Sequence, residues 1–312
     1  MIPAEVVERD DSHLAPAYAG DVSSELLRGL LRALHPFDSR DRNLAVMFLY
    51  GDASGTRESR IYAVACYYGA EHRWAAADAA WAAALKWAKV DHFHATDFFA
   101  CQDAFGGWKR GSIRHKTAER KFLSIASDAG LFGSVSGVET GGFDAELRAA
   151  FHKVTSKHRV KSVRTLAFLL CYQGISRGIL EKHPLPTHER ISIVLESEKG
   201  IGEVIDYFWA EKKKRSPWTK DIITIAPGDK KEFRALQMAD LLAYEARDYL
   251  TIRFTRADAE LPPRLARLAE SRRVRITIMN KASMRQMIPE LQALFDKHPH
   301  GFTRPPRRGS NG

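Results

Sequence analysis

The sequence predicts an α/β fold, a mixed β-sheet flanked by helices. Two observations carry this prediction: three strand-like segments come early in the chain, and strand-like and helical segments alternate after them. Early antiparallel strands followed by right-handed crossovers place helices on both faces of one sheet. The 312 residues are 45% hydrophobic and 28% charged, which is ordinary for a globular protein and excludes wholesale disorder.

The early strands begin with Leu44–Tyr50, a continuous apolar run that is typical of a strand buried on both faces. A turn is predicted at Gly51–Gly55 and a second strand at Ser59–Tyr68, so that the two strands form a hairpin. The third strand is predicted at Leu131–Val138.

Helical segments fill most of the remaining chain. Residues at about 71–130 are predicted to form an insertion between the second and third strands, with helices at Glu71–Lys89 and Thr117–Ala129 joined by the loop-rich stretch Asp91–Gly111. In the second half, the predicted strands Ile191–Leu195 and Ile222–Ala226 alternate with three predicted helices, Ser162–Lys182, Glu203–Lys214 and Ala235–Leu250.

This order of elements resembles that of ribonuclease H-like proteins. We expect a ribonuclease H-like domain over residues 44–250, preceded by an N-terminal arm at 1–43 and followed by a C-terminal extension at 251–312. The arm includes a short helical pattern at Ser23–Leu34. The extension is predicted to contain helices at Pro262–Ala269 and Ser283–Phe295 and to end in a basic tail.

The chain is basic, because 48 Lys and Arg residues against 38 Asp and Glu residues give a net charge of +10. This balance favours a polyanionic partner such as nucleic acid, although solubility and a basic tail would also account for it.

Cysteine usage and hydropathy indicate the compartment. The three cysteines are widely spaced without a C-x-x-C pair, and we expect them to be reduced and mostly buried. The most apolar stretch, Trp74–Val90, contains Asp78, Lys86 and Lys89 and is expected to be a soluble helix. With no apolar leader segment, the expected location is the cytoplasm, without a membrane partner.

Three carboxylates are candidates for an active site. Asp52 follows the first strand, Glu196 ends the Ile191–Leu195 strand, and Asp240 interrupts an apolar helix. Ligands bind outside the carboxyl ends of strands in open α/β sheets, so we expect the acids to meet there. Clustered carboxylates repel unless a cation neutralises them, and hard oxygen ligands select Mg²⁺ or Mn²⁺. One or two such ions can activate a water for phosphodiester hydrolysis.

Each acid also has a structural alternative. Asp52 can be a turn residue, and Glu196 can cap the following helix, with Glu198 as the functional acid instead. Asp240 is the hardest to explain structurally, because an aspartate in an apolar helix needs a partner.

Four motifs follow one another along the chain: Tyr50-Gly-Asp-Ala-Ser-Gly55, Phe93-His-Ala-Thr-Asp97, Ser192-Ile-Val-Leu-Glu-Ser197 and Leu236-Gln-Met-Ala-Asp-Leu-Leu-Ala-Tyr244. Together they make residues 44–250 resemble the bacterial and phage domain-of-unknown-function family numbered 3800. The resemblance implies a ribonuclease H-like fold. It also implies active-site roles for Asp52, Glu196, Asp240 and either Asp97 or His94.

The chain departs from the family pattern at three places. Ala53 stands where the family usually has Glu, and Glu196 stands where Asp is common. The Ser162–Lys182 helix lacks the inward glutamate of true ribonucleases H, which Asp97 on the insertion is expected to replace.

His92 and His94 offer a different metal site, since alternate residues of a strand share a face. Such a zinc site would lack a cysteine or a third nearby histidine. We expect His94 instead to support the acidic site as a donor or a proton carrier.

Two basic clusters are candidates for gripping phosphates, although charge runs are also found as solvated surface. The first comprises His152, Lys153, Lys157, His158, Arg159, Lys161 and Arg164. The second comprises Lys212, Lys213, Lys214, Arg215 and Lys220, with Trp218 as a stacking platform.

The expected function is therefore phosphodiester hydrolysis on DNA or RNA that depends on Mg²⁺ or Mn²⁺. Two alternatives stay open: a phosphatase that acts on a small phosphorylated ligand, and a nucleic-acid- or partner-binding module with a degenerate catalytic site.

Overall fold

A computed structural model describes residues 46–55, 59–148, 162–180, 190–213, 219, 221–256, 258–270, 274–286 and 288–289. The predicted N-terminal arm, its helix at Ser23–Leu34 and the basic tail lie outside these residues. Within them, the protein has an α/β structure in which a six-stranded mixed sheet is flanked by helices, as the sequence predicted.

The strands of the sheet are β1 Val46–Ser54, β2 Ile61–Ala70, β3 Phe132–Glu139, β4 Arg190–Glu196, β5 Ile222–Gly228 and β6 Val274–Met279. Their order across the sheet is β5-β4-β1-β2-β3-β6. β1, β2 and β3 pair antiparallel. β4 is parallel to β1, β5 is parallel to β4, and β6 is parallel to β3.

The helices are α1 Glu71–Ala88, α2 Ala95–Ala100, α3 Ile113–Asp128, α4 Val163–Leu180, α5 Ile201–Lys213, α6 Arg234–Thr255 and α7 Pro263–Ala269. Shorter helical turns lie at Asp103–Phe105, Thr140–Gly142 and Phe143–Leu147, and residues 281–286 are also helical. In the described part of the chain, no helix combines the length and the apolar character that crossing a bilayer requires.

Two hydrophobic cores cover the two faces of the sheet. On the first face, α1, α2, α3, α6 and α7 pack against Phe48, Tyr50 and Val194. On the second face, α4 and α5 pack against Leu49 and Leu195. Successive residues of β1 and of β4 therefore point alternately into the two cores.

Buried aromatic rings hold the insertion to the first face. Trp81, Phe93, Phe98 and Phe122 pack with neighbouring ring centroids 4.7–6.0 Å apart. Tilted and edge-to-face ring pairs at such distances are favourable. This aromatic cluster holds the segment that contains His94 and Asp97 against the other helices of the insertion.

Three features differ from the sequence prediction. β1 continues through Asp52 and ends at Ser54, just before Gly55, where a φ of +118° favours glycine, so Asp52 lies in the strand and not in a turn. The stretch predicted as loop contains α2. β6 lies in the predicted C-terminal extension, for which only helices were expected, and it joins β3. This short strand gains its hydrogen-bond partners from a strand far away in sequence, which local patterns do not reveal.

The cysteines agree with their predicted state. Cys66 and Cys171 are buried and Cys101 is partly buried, and all three are free thiols. Burial raises the pKa of the Cys66 thiol well above its ordinary value, which makes it unreactive at neutral pH.

Candidate functional site

Two of the three predicted acids lie side by side on neighbouring parallel strands. Gly51 of β1 pairs with Leu195 of β4, so Asp52 and Glu196 are the next residues along each strand. Tyr50 and Val194, two residues earlier, belong to the core under α6. Because side chains alternate along a strand, Asp52 and Glu196 face α6 as well.

The third acid reaches the same place from α6. Asp240 is only 5% exposed, and its Oδ2 accepts a hydrogen bond of 2.7 Å from the backbone N–H of Ala95. Ala95 is the first residue of α2, so Asp240 also ties the insertion to α6. This amide is part of the compensation that a buried aspartate needs.

A lysine that the sequence analysis did not single out lies between the three acids. Nζ of Lys230 is 2.7 Å from Oε2 of Glu196, 3.5 Å from Oδ2 of Asp52 and 3.6 Å from Oδ1 of Asp240. Lys230 lies on the loop after β5, at the same edge of the sheet as the ends of β1 and β4. The rule that places ligand-binding residues at the carboxyl ends of strands also applies to this loop. This rule is the signal in the sequence that could have identified Lys230.

The cluster of Asp52, Glu196, Asp240 and Lys230, called here the acidic cluster, carries more negative than positive charge. Burial raises the pKa of Asp52 well above its ordinary value of 3.8, and the Asp240 and Glu196 carboxylates add to this, while Lys230 opposes it. Burial alone would lower the pKa of the Lys230 ammonium. The three carboxylates outweigh that effect and raise this pKa. The excess negative charge favours a further or a more highly charged cation.

The raised pKa of Asp52 predicts that the stability of the metal-free protein depends on pH. A carboxyl whose pKa is higher when folded contributes stability below its unfolded pKa, here 3.8, and loses it as the pH rises through the folded pKa. Relative to Asp52→Asn, the wild type should lose stability as the pH rises from about 4 towards neutrality. Urea unfolding of both proteins in EDTA at several pH values checks this. Parallel stability curves would show that the pKa of Asp52 is not raised.

The carboxylate oxygens of the acidic cluster would suit a hard divalent cation if the ammonium group of Lys230 moved out of the cluster. Carboxylate oxygens are the ligands that Mg²⁺ and Mn²⁺ prefer, and Mg²⁺ needs them at about 2.1 Å. As the side chains stand, no group of three or more His, Cys, Asp or Glu side chains among the described residues is placed to hold a metal ion. The three acids instead surround an ammonium at ion-pair distances. A metal ion bound by these carboxylates would therefore have to displace Lys230.

Gln237 holds together the segments around the acidic cluster. Its Oε1 accepts hydrogen bonds from Nε1 of Trp81 at 2.8 Å and from the N–H of Phe93 at 3.1 Å. Its Nε2 donates to the carbonyl of Lys230 at 2.6 Å. A fully buried amide with these partners fixes α1, the segment before α2 and the Lys230 loop relative to α6. The glutamine of the fourth sequence motif is therefore a positioning residue.

The candidates Asp97 and His94 pair with each other beside the acidic cluster. Nδ1 of His94 lies 2.9 Å from Oδ2 of Asp97, and the two residues flank Ala95, which bonds to Asp240. Among the contacts of the described residues, none joins Asp97 to Asp52, Glu196 or Lys230. His92 and His94 lie in a loop and not in a strand, so the alternate-face argument for a pair of histidine ligands does not hold.

Two other sequence observations concern residues next to the acidic cluster, Glu198 and Ala53, whose side chains have other partners. Glu198 accepts a hydrogen bond from the Tyr62 hydroxyl and pairs with Nε of Arg164, each at 3.0 Å. Ala53 packs with the core on the second face of the sheet. A glutamate at position 53 would point away from Asp52, so this departure from the family pattern removes no acid from the cluster.

Most members of the two predicted basic clusters lie outside the described residues, namely His152, Lys153, Lys157, His158, Arg159, Lys161, Lys214, Arg215, Trp218 and Lys220. Arg164 is described, and its charge is paired with Glu198. Lys212 donates a hydrogen bond to the carbonyl of Ile222 and lies near the ring of Trp209, so it takes part in the fold. Lys213 is exposed.

Comparison with known proteins gives no match to a protein-family model and no significant match to a curated protein. The family resemblance therefore stands on the four motifs, and the function has to be argued from the site itself.

Proposed function

We propose that this protein hydrolyses phosphodiester bonds of DNA or RNA, with Mg²⁺ or Mn²⁺ held by Asp52, Glu196 and Asp240. The observation that carries the proposal is the meeting of three acids from β1, β4 and α6 around one positive charge. They meet at the edge of the sheet where open α/β folds bind ligands.

The proposal includes a ribonuclease H-like fold for the sheet. Three antiparallel strands come first along the chain, and β4 and β5 then add in parallel beside β1. This arrangement supports the proposed fold, because it brings the ends of β1 and β4 together as such a site requires.

The residues of the chain have distinct roles in the proposed reaction. When bound, the divalent metal would supply a Lewis acid that activates water and offsets the charge of the phosphate. The three carboxylates hold the positive charge in place. Lys230, once displaced, stays beside them on its loop, where its ammonium can pair with a phosphate oxygen. His94, partly exposed and held by Asp97, is suited to move a proton at the leaving oxygen.

The test is a cleavage assay with labelled single- and double-stranded DNA and RNA in Mg²⁺, Mn²⁺ or EDTA. We expect shortened oligonucleotides with metal and none with EDTA. Asp52→Asn should abolish cleavage, whereas Asp206→Asn, a matched change at an exposed residue of α5, should not. Release of inorganic phosphate alone would favour the phosphatase alternative. Absence of any metal-dependent hydrolysis would refute the proposal.

One observation favours a second candidate, a nucleic-acid- or partner-binding module without a catalytic metal. Lys230 already compensates part of the acidic charge, and the described residues contain no ready-made metal-binding group. In this case Lys230 would be a permanent counter-ion and the acidic cluster would be structural. Saturable binding of Mn²⁺ distinguishes the two candidates.

A further inference from the structure

We propose that a basic groove at the beginning of α3 binds the phosphate backbone of a polynucleotide and guides it to the acidic cluster; this inference rests on the proposed function. The groove has a volume of about 650 Å³ and is lined by Arg110, Gly111, His115, Lys116, Glu119, Arg120 and Arg264. Four of these residues carry a permanent positive charge and one carries a negative charge. Neither basic cluster predicted from the sequence includes any of them.

Most of the positive charge in the groove is uncompensated. Arg110, Lys116 and Arg120 are exposed, and no residue that the structure describes forms an ion pair with any of them. Arg264 differs, because its guanidinium bonds to Glu119 at 2.7 Å and to Glu245 at 3.2 Å. A phosphate that enters the groove would thus gain new ion pairs without breaking existing ones.

The groove also offers buried hydrogen-bonding groups. α3 begins beside it, with Ser112 as N-cap, so the positive end of a helix of 16 residues lies there. His115 is only 3% exposed, and its Nε2 lies 3.3 Å from the carbonyl of Phe98. Its Nδ1 has no hydrogen-bond partner among the described residues, because the nearest carboxylate oxygen, on Glu119, is 3.9 Å away. Because Nε2 donates to that carbonyl, Nδ1 can donate to a phosphate oxygen only when the ring carries a second proton, so a phosphate in the groove would bind His115 as an imidazolium.

α2 connects the groove to the acidic cluster. At its beginning, the N–H of Ala95 bonds to Asp240. Near its end, the carbonyl of Phe98 contacts His115, and Arg264 lies 4.4 Å from the ring centroid of Phe99. A helix of six residues is about 9 Å long, so groove and acids are close neighbours on one face of the sheet. A strand with several phosphates can occupy both places, whereas an isolated phosphodiester engages only the acids.

The test compares two double charge reversals. Lys116→Glu/Arg120→Glu alters the groove, and Arg148→Glu/Arg285→Glu changes the net charge equally among residues that pair with Asp144 and Glu146 elsewhere on the surface. Binding is measured by fluorescence anisotropy of labelled DNA and RNA oligonucleotides in EDTA over a range of salt concentrations. The groove variant should bind at least about tenfold more weakly and lower the salt slope by about 2, while the control stays within about twofold of wild type.

Equal affinities of the two variants, or no binding by the wild type, would overturn the groove proposal. Thermal melts check that each variant is folded. If the Lys116→Glu/Arg120→Glu variant is unfolded, Lys116→Gln/Arg120→Gln takes its place in the experiment.

Hydrolysis of bis(p-nitrophenyl) phosphate with Mn²⁺ separates this proposal from the proposed function. The groove variant should keep this activity, because the small diester does not need the groove. If the wild type binds oligonucleotides through the groove but hydrolyses no diester, the groove proposal is supported and the catalytic proposal is contradicted.

Discussion

Asp240→Asn is expected to reduce metal-dependent cleavage by about 100-fold or more, because loss of residues that merely support metal ligands already costs about 10–100-fold. The metal-free variant should be at least as stable as the wild type. Asparagine keeps an oxygen that can accept the hydrogen bond from Ala95, while one of three like charges around Lys230 disappears. Cleavage assays and thermal melts, with and without Mn²⁺, measure both effects.

Asp240→Ala is the matched control, because it removes the hydrogen-bond acceptor as well as the charge. It should be less stable than Asp240→Asn by about 1–3 kcal/mol, since the buried amide of Ala95 loses its partner. If Asp240→Asn instead cleaves like the wild type and melts several degrees lower without metal, Asp240 is a structural acid that pairs with Lys230.

Lys230→Met is expected to destabilise the metal-free protein near neutral pH by about 3–5 kcal/mol, because it leaves the buried Asp52 and Asp240 and the partly buried Glu196 without a counter-charge. The loss should shrink at lower pH. Burial already raises the pKa of Asp52, and the uptake of a proton relieves the repulsion. Mn²⁺ should restore more stability to this variant than to the wild type, because no ammonium has to be displaced. Urea unfolding in EDTA and in Mn²⁺ at two pH values measures these differences.

Lys231→Met provides the control for this experiment. Lys231 is exposed, and its backbone N–H, not its side chain, bonds to Asp229. Its replacement should change the free energy of unfolding by less than about 0.5 kcal/mol. Equal stability of the Lys230 and Lys231 variants at neutral pH would mean that the three acids do not depend on Lys230 for compensation.

The parts of the fold and site that local patterns encode were predictable from the sequence. The apolar run of β1 predicts a central strand, and the ends of β1 and β4 predict that Asp52 and Glu196 are neighbours. Asp240 stands out because a charge in an apolar helix needs compensation. The central strand and the status of Asp240 follow from periodicity and the cost of burying charge, whereas the meeting of Asp52 and Glu196 also rests on the expected order of the strands in the sheet.

The remaining features depend on contacts between distant segments. Lys230 looks like a solvated loop lysine until β5 is known to lie beside β4. β6 is a short strand whose partner, β3, is far away in sequence. The basic groove joins the start of α3 to Arg264 of α7, and no local pattern in either segment indicates that they meet. Sequence periodicity assigns faces within an element but does not pair elements across the fold.

Calorimetric titration of Mn²⁺ into the wild-type protein tests most directly whether the three acids form a metal site. We expect saturable binding that is lost in Asp240→Asn and becomes tighter in Lys230→Met, since the metal and the ammonium compete for the same carboxylates. If neither the wild type nor Lys230→Met binds Mn²⁺ saturably, the acids and Lys230 form a permanent ion cluster, and the catalytic account is wrong.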